Sequence, residues 1–306
     1  MKNIFYLFLF SIVLVSCTKE VKIDIPGYKE NLVIDGNIET GQPAIVLLST
    51  TNNIYSPTNL DAYLEGFISG ATVIVSDGIA TDTLVEICTD DLPAGTEEIA
   101  ASFFGIPIEQ LIELHLCAYI STNTIGEVGK TYSLKVIHEG KTHTSSTKIY
   151  QPKALDSLYW KPQGNSIEFG FSWAKLSDEI ATNDAFRWET KYISDLNFNK
   201  PFNPFFNDEF FNGLTFEFAY DNPMSYDDET YPEDFRGYYK VGDTVVIKFS
   251  KIGTKEYNFF EKKYNQLYSG GNPFATPTNI PTNIVGGAFG VWVGYSPSYD
   301  TLICKL

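Results

Sequence analysis

The sequence predicts a mainly β protein: an immunoglobulin-like β-sandwich followed by a second β-rich domain with one amphipathic helix. Three observations predict it. Short runs that alternate apolar and polar residues recur along the chain, the pattern of half-buried strands. Some of them turn back at two-residue signals such as Asp77-Gly78 and Glu139-Gly140. Thr254–Ser269 is the best helical stretch, with apolar residues recurring at helical spacing.

The chain opens on a leader. Met1–Ser16 carries one early cation, Lys2, then an apolar run from Ile4 to Val15 broken only by Ser11. Small Ser16 precedes Cys17. That order marks a secretory signal peptide. The run is too short to cross a bilayer of roughly 30 Å comfortably as a permanent helix. Leu14-Val15-Ser16-Cys17 also resembles a bacterial lipobox, in which the cleaved chain begins at a lipidated cysteine. Residues 1–16 are thus expected to be a lipoprotein signal peptide and Cys17 the lipid attachment point. Residues 17–30 read as a tether, with Lys19, Glu20, Lys22, Asp24 and a Pro26-Gly27 turn.

Removing the leader leaves 290 of the 306 residues, enough for roughly two domains. The full chain has 22 basic and 38 acidic residues, and losing Lys2 takes the net charge from -16 to about -17. So acidic a chain is a poor partner for nucleic acid, whose phosphates need Lys and Arg. Anionic membrane surfaces repel it as well, so a covalent lipid has to hold it at a membrane.

The first folded domain is expected over residues 31–150. Asn31–Glu39 alternates Leu32, Ile34 and Ile38 with Val33 and Asp35, Gly41-Gln42-Pro43 breaks it, and Ala44–Ser49 is a second strand. Thr72–Ser76 runs into Asp77-Gly78, and Thr83–Cys88 is its return partner. Thr131–His138 and Lys141–Lys148 form a hairpin around Glu139-Gly140. Between them Glu97–Phe104 and Pro107–Leu116 read as short helices. Alternatively Leu111–Ile120 is a strand, which would set Glu113, His115 and Cys117 on one face. That trio has ligand chemistry but too few ligands for a metal site.

Tyr150-Gln151-Pro152 is the expected boundary of the second domain, 151–306. Ile167–Trp173, Phe186–Ile193 and Asp243–Ser250 read as strands. Tyr257, Phe260, Tyr264, Leu267 and Tyr268 form one face of the helix, which Thr254 can cap and Gly270-Gly271 ends. Val291–Tyr295 and Thr301–Cys304 close the sheet. Asp195–Tyr239 departs from all this, with 14 aromatic residues in 45 and prolines 201, 204, 223 and 232. Long loops of such composition are usually functional or mobile. Phe202, Phe205, Phe206, Phe210, Phe211, Tyr220 and Tyr226 are therefore candidate partner- or ligand-binding residues, since aromatic anchors dominate interface energetics. Asp227, Asp228 and Glu229 offer oxygen ligands suited to calcium, without EF-hand spacing. Cys88, Cys117 and Cys304 read first as buried small apolar groups; in an oxidising compartment they allow one disulfide with one free thiol, and the pair is open.

The lipobox, the Leu32-Val33-Ile34-Asp35-Gly36 strand and the Gly129-Lys130-Thr131-Tyr132 hairpin entry resemble the DUF4249 lipoproteins of Bacteroidetes. So does the loop from Gly271-Asn272-Pro273-Phe274 to Pro281-Thr282-Asn283-Ile284, with Gly286-Gly287 and Gly294-Tyr295 after it. Asp90–Leu116 has no match in that resemblance. The resemblance implies a lipid-anchored outer-membrane protein, on the periplasmic or cell-surface face, beside a SusC-like TonB-dependent receptor. It implies no catalytic residues and no cofactor. The chain has neither a G-x-S-x-G elbow nor an H-E-x-x-H helix. The expected function is non-enzymatic, as a binding or accessory subunit; a surface hydrolase or a carbohydrate-binding lipoprotein is the alternative.

Overall fold

The computed structural model describes residues 30–51, 67–92, 95–104, 106, 108–111, 116–180, 182–269 and 279–306. The leader, Cys17 and nearly all of the tether lie outside the described residues, as do Glu113, His115 and residues 270–278.

Alternation builds the first sandwich. Its strands are β1 (Leu32–Glu39), β2 (Pro43–Thr50), β3 (Thr72–Ser76), β4 (Thr81–Thr83), β5 (Val85–Cys88), β6 (Cys117–Ile125), β7 (Thr131–His138) and β8 (Lys141–Lys148). Two short helices, α1 (Glu97–Phe104) and α2 (Ile108–Leu111), lie between β5 and β6. One sheet runs β4-β3-β7-β8. It buries Val73, Val75, Leu134 and Val136 against Ile34, Ile38, Val46 and Leu48 of the facing sheet. The hairpin between β7 and β8 turns at Glu139 and Gly140, both at positive φ (48° and 74°), the backbone that matches strand twist. The expected return strand 83–88 is two strands: β4 pairs with β3, buried Leu84 follows, and β5 pairs with β6 in the other sheet. The Asp77-Gly78 turn signal was local and could not report that change of sheet.

The second half contributes β9 (Ser157–Pro162), β10 (Phe169–Ser177), β11 (Ala185–Tyr192), β12 (Phe205–Asn207), β13 (Thr215–Tyr220), β14 (Tyr239–Lys240), β15 (Thr244–Ile252), helix α3 (Thr254–Ser269) and β16 (Phe289–Ile303). Phe186, Trp188, Val245, Ile247 and Phe249 meet Trp160, Ala174 and Leu176 in a second core. Phe186 stacks on Phe249 at 4.8 Å and Trp188 on Tyr220 at 4.9 Å. Such pairs add about 0.5–1.5 kcal/mol each beyond the area they bury.

The long last strand ties the two halves together. An eight-stranded sheet has the order β12-β11-β15-β16-β1-β2-β6-β5. Residues 289–295 of β16 lie parallel to β1, with Gly36 opposite Trp292. Residues 296–303 lie antiparallel to β15. Fully buried Trp292 belongs to the first core and donates its indole N–H to Tyr132 O at 2.9 Å, whereas Leu302 and Cys304 belong to the second. The division at residue 150 therefore needs correction: the first sandwich takes its closing strand from the far end of the chain. A parallel partner some 250 residues away leaves no turn signal in the sequence.

Helix α3 covers the reverse face of this junction. Tyr257, Phe259 and Phe260 pack on Ala185, Ile252, Val291, Val293 and Tyr295. Thr254 is its first helical residue, and the capping position falls to Gly253, whose carbonyl accepts from Tyr257 N at 2.9 Å. Glu256 Oε1 accepts from Thr147 Oγ1 at 2.9 Å and from Asn283 Nδ2 at 3.3 Å, so the helix start is tied to β8 and to the closing loop. Asn283 in turn exchanges two bonds with the Trp292 backbone, 2.8 and 2.9 Å, in the manner of an extra strand.

Candidate functional site

Strand alternation sends one set of residues to the cores and the other set to the face beside α3. On β1 the second set is Asp35, Asn37 and Glu39; on β11 it is Arg187 and Glu189; on β15 it is Lys248. These side chains floor a cleft of ≈ 630 Å³, walled by Tyr264 and Leu267 of α3 and by the loop Leu196–Lys200. That volume lies in the range of small-molecule sites.

The charges in the floor form a chain. Arg187 donates to Glu189 Oε1. Glu189 stands directly across from Lys248 in the β11–β15 register, with Lys248 Nζ 3.9 Å from its Oε2. Lys248 Nζ reaches Glu39 Oε2 at 2.6 Å, linking β15 to β1 across the shared strand. Glu189 is 4% exposed, and its Oε2 has no hydrogen bond. A buried carboxylate left half-satisfied is costly in free energy, which marks such positions for function or strain. The Arg187 guanidinium also lies over the Tyr295 ring, 4.7 Å from its centroid. Two further cations sit at the mouth. Lys263 reaches Asp35 Oδ2 only at 3.9 Å. Exposed Lys200 makes no ion pair among the described residues, and the Arg187 guanidinium facing it pulls its ammonium down to about 8.

The aromatic loop is split between core and surface. Phe205 and Phe211 are each 4% exposed, and Phe205 stacks on Phe260 of α3 at 4.2 Å. Phe206 and Tyr220 pack against the second core. These four are corrected from candidate contact residues to packing residues: Phe205 and Phe206 lie on β12 and Tyr220 on β13, which hold them against the sheet. Phe202 (64%), Phe210 (89%) and Tyr226 (47%) do face solvent. Phe202 stacks on Tyr268 at 3.8 Å, beside the cleft mouth where Leu196 and Leu267 are also exposed.

The calcium candidates do not converge. Asp228 turns back on Thr230, accepting from its N at 2.8 Å and its Oγ1 at 2.6 Å, while Asp227 and Glu229 stay exposed. Among the described residues, the one close group of possible ligands is Glu86, Cys88 and Cys117. Cys88 and Cys117 are opposite each other on β5 and β6 and form a disulfide, so neither offers a thiolate. Cys304 is free and buried, with burial pushing its thiol up to about 12. His138 and His143 stand at the β7–β8 hairpin, and burial holds His143 below the usual histidine range.

Sequence reasoning missed Arg187, Glu189, Lys200 and Lys248 as site residues. The signal was present: Phe-Arg-Trp-Glu-Thr-Lys and Val-Ile-Lys-Phe each place charges at alternate positions of otherwise apolar strands.

Fold and site together define a class: a double β-sandwich whose halves share one strand and enclose a charged, aromatic-walled cleft. The chain belongs to the family described as domain of unknown function DUF4249, which it matches over residues 18–298. No curated protein matches it.

Proposed function

We propose that this protein is a non-enzymatic binding or accessory subunit, anchored at the outer membrane through Cys17 and working beside a SusC-like TonB-dependent receptor. The observation that carries this reading is the cleft, whose buried charges stop short of full pairing and whose lining includes exposed Leu196 and Leu267, with the exposed Phe202–Tyr268 stack beside them. Soluble monomers seldom expose such an apolar group without a use for it. The rim is the docking side, and the cleft holds what is captured.

Two measurements test it. Replacing Cys17 by Ala releases the protein from the outer-membrane fraction. Co-purification after crosslinking recovers a TonB-dependent receptor with the native chain and loses it with Phe202→Ser and Leu267→Ser together, at an unchanged melting temperature. Recovery of no receptor from the native chain would overturn the accessory role. The carbohydrate-binding alternative has the aromatic walls of the same cleft in its favour.

A further inference from the structure

We propose that the cleft binds a small organic anion, with its carboxylate received by Lys200, Arg187 and Lys263 and its hydroxyl-bearing body turned to the acids of β1. The proposal rests on the reading of the cleft as a ligand site and adds the chemistry of the ligand.

Charge distribution is the first support. The cleft holds Arg187, Lys200, Lys248 and Lys263 against Asp35, Glu39 and Glu189, a local positive surplus in a chain of net charge -16. Local fields of this kind concentrate ligands of opposite sign. The surplus is also placed at the open side. Arg187, Glu189, Lys248 and Glu39 are engaged with one another in the floor. Lys200 and Lys263 are left at the mouth, the first with no ion pair among the described residues and the second 3.9 Å from its acid. Lys200 meets the like charge of Arg187, and an anion lying between them would relieve that repulsion. A cationic ligand would add to it.

The rest of the lining defines the body of the ligand. Asp35 and Glu39 as carboxylates only accept and Asn37 between them both donates and accepts, so a ligand group facing the two acids has to donate, as hydroxyl groups do. Phe198 of the loop and Tyr264 of α3 add aromatic side chains to the lining. A carboxylate on a polyhydroxylated body satisfies all three surfaces, whether that body is a closed sugar ring or an open-chain hydroxy acid.

The test is isothermal titration of the full mature chain in detergent with glucuronate, gluconate and glucose at one ionic strength. Heat from glucuronate alone assigns the closed-ring acid; heat from gluconate alone or from both acids assigns the carboxylate and hydroxyls without the ring. Either outcome requires silence from glucose and a loss of about tenfold or more in Lys200→Gln. Lys135→Gln, on an exposed position of β7, binds as the native chain does. Heat from glucose, no heat from either acid, or a Lys200→Gln protein with native affinity each overturns the anion. Glucose binding would leave a ligand site of another class. Silence from all three with receptor co-purification intact would leave the accessory role standing.

Discussion

At the scale of single residues, the contrast between Phe205 and Phe210 separates packing from surface. Both sit in one aromatic loop, and composition alone could not tell them apart, because what differs is which rings the sheet and α3 can reach. Phe205→Ala removes a ring stacked at 4.2 Å on Phe260, and chemical denaturation should record a loss of about 3–5 kcal/mol. Phe210→Ser, at a position 89% exposed, should change stability by less than about 0.5 kcal/mol. Lys200 gives a second residue-scale expectation. The groups facing it are Arg187, Lys248 and Lys263 on the positive side and Asp35, Glu39 and Glu189 on the negative. With its ammonium held at about 8, Lys200 loses its charge as pH rises through that value. Affinity for a carboxylate should therefore fall between about pH 7 and about pH 9.5, and bound anion should displace the fall upward. In Lys200→Gln the slope over that window should flatten.

At the scale of elements, local patterns were legible and long-range pairings were not. Thr72–Ser76, the β7–β8 hairpin and α3 stand where their alternation, turn residues and helical spacing put them. Each of those signals lies within a dozen or so neighbouring residues. The start of β16 depends instead on β1. Gly290 has φ 108°, and a Cβ there would lie 2.0 Å from Ile34 O. Gly290→Ala should cost about 2 kcal/mol or more by combining backbone strain with a clash in the parallel pairing. Amide exchange would show the loss first in β1 and residues 289–295. The cleft floor was half legible for the same reason: the alternating charges of β11 and β15 are in the sequence, but their meeting with Glu39 requires β16 between them.

At the scale of the whole molecule, two cores share one strand. A fragment covering residues 30–150 lacks Ile284, Ala288 and Trp292, all buried in the first core. It should fail to fold cooperatively in thermal melts followed by circular dichroism. Adding a peptide of residues 279–306 in trans should restore part of the transition. A fragment that melts cooperatively by itself would show that β16 is dispensable to the first sandwich.

The shared strand also fixes an order of events during synthesis. A chain delivered from its N-terminus presents β1 near the beginning and its partner 289–295 close to the end. Contacts of such sequence separation form slowly, because a long loop has to close before they contribute. The early half of the protein thus stays unsealed until nearly the whole polypeptide has emerged. Completion of the first sandwich becomes a checkpoint on completeness: a truncated product has a β1 with no lid strand, and a protease can remove it.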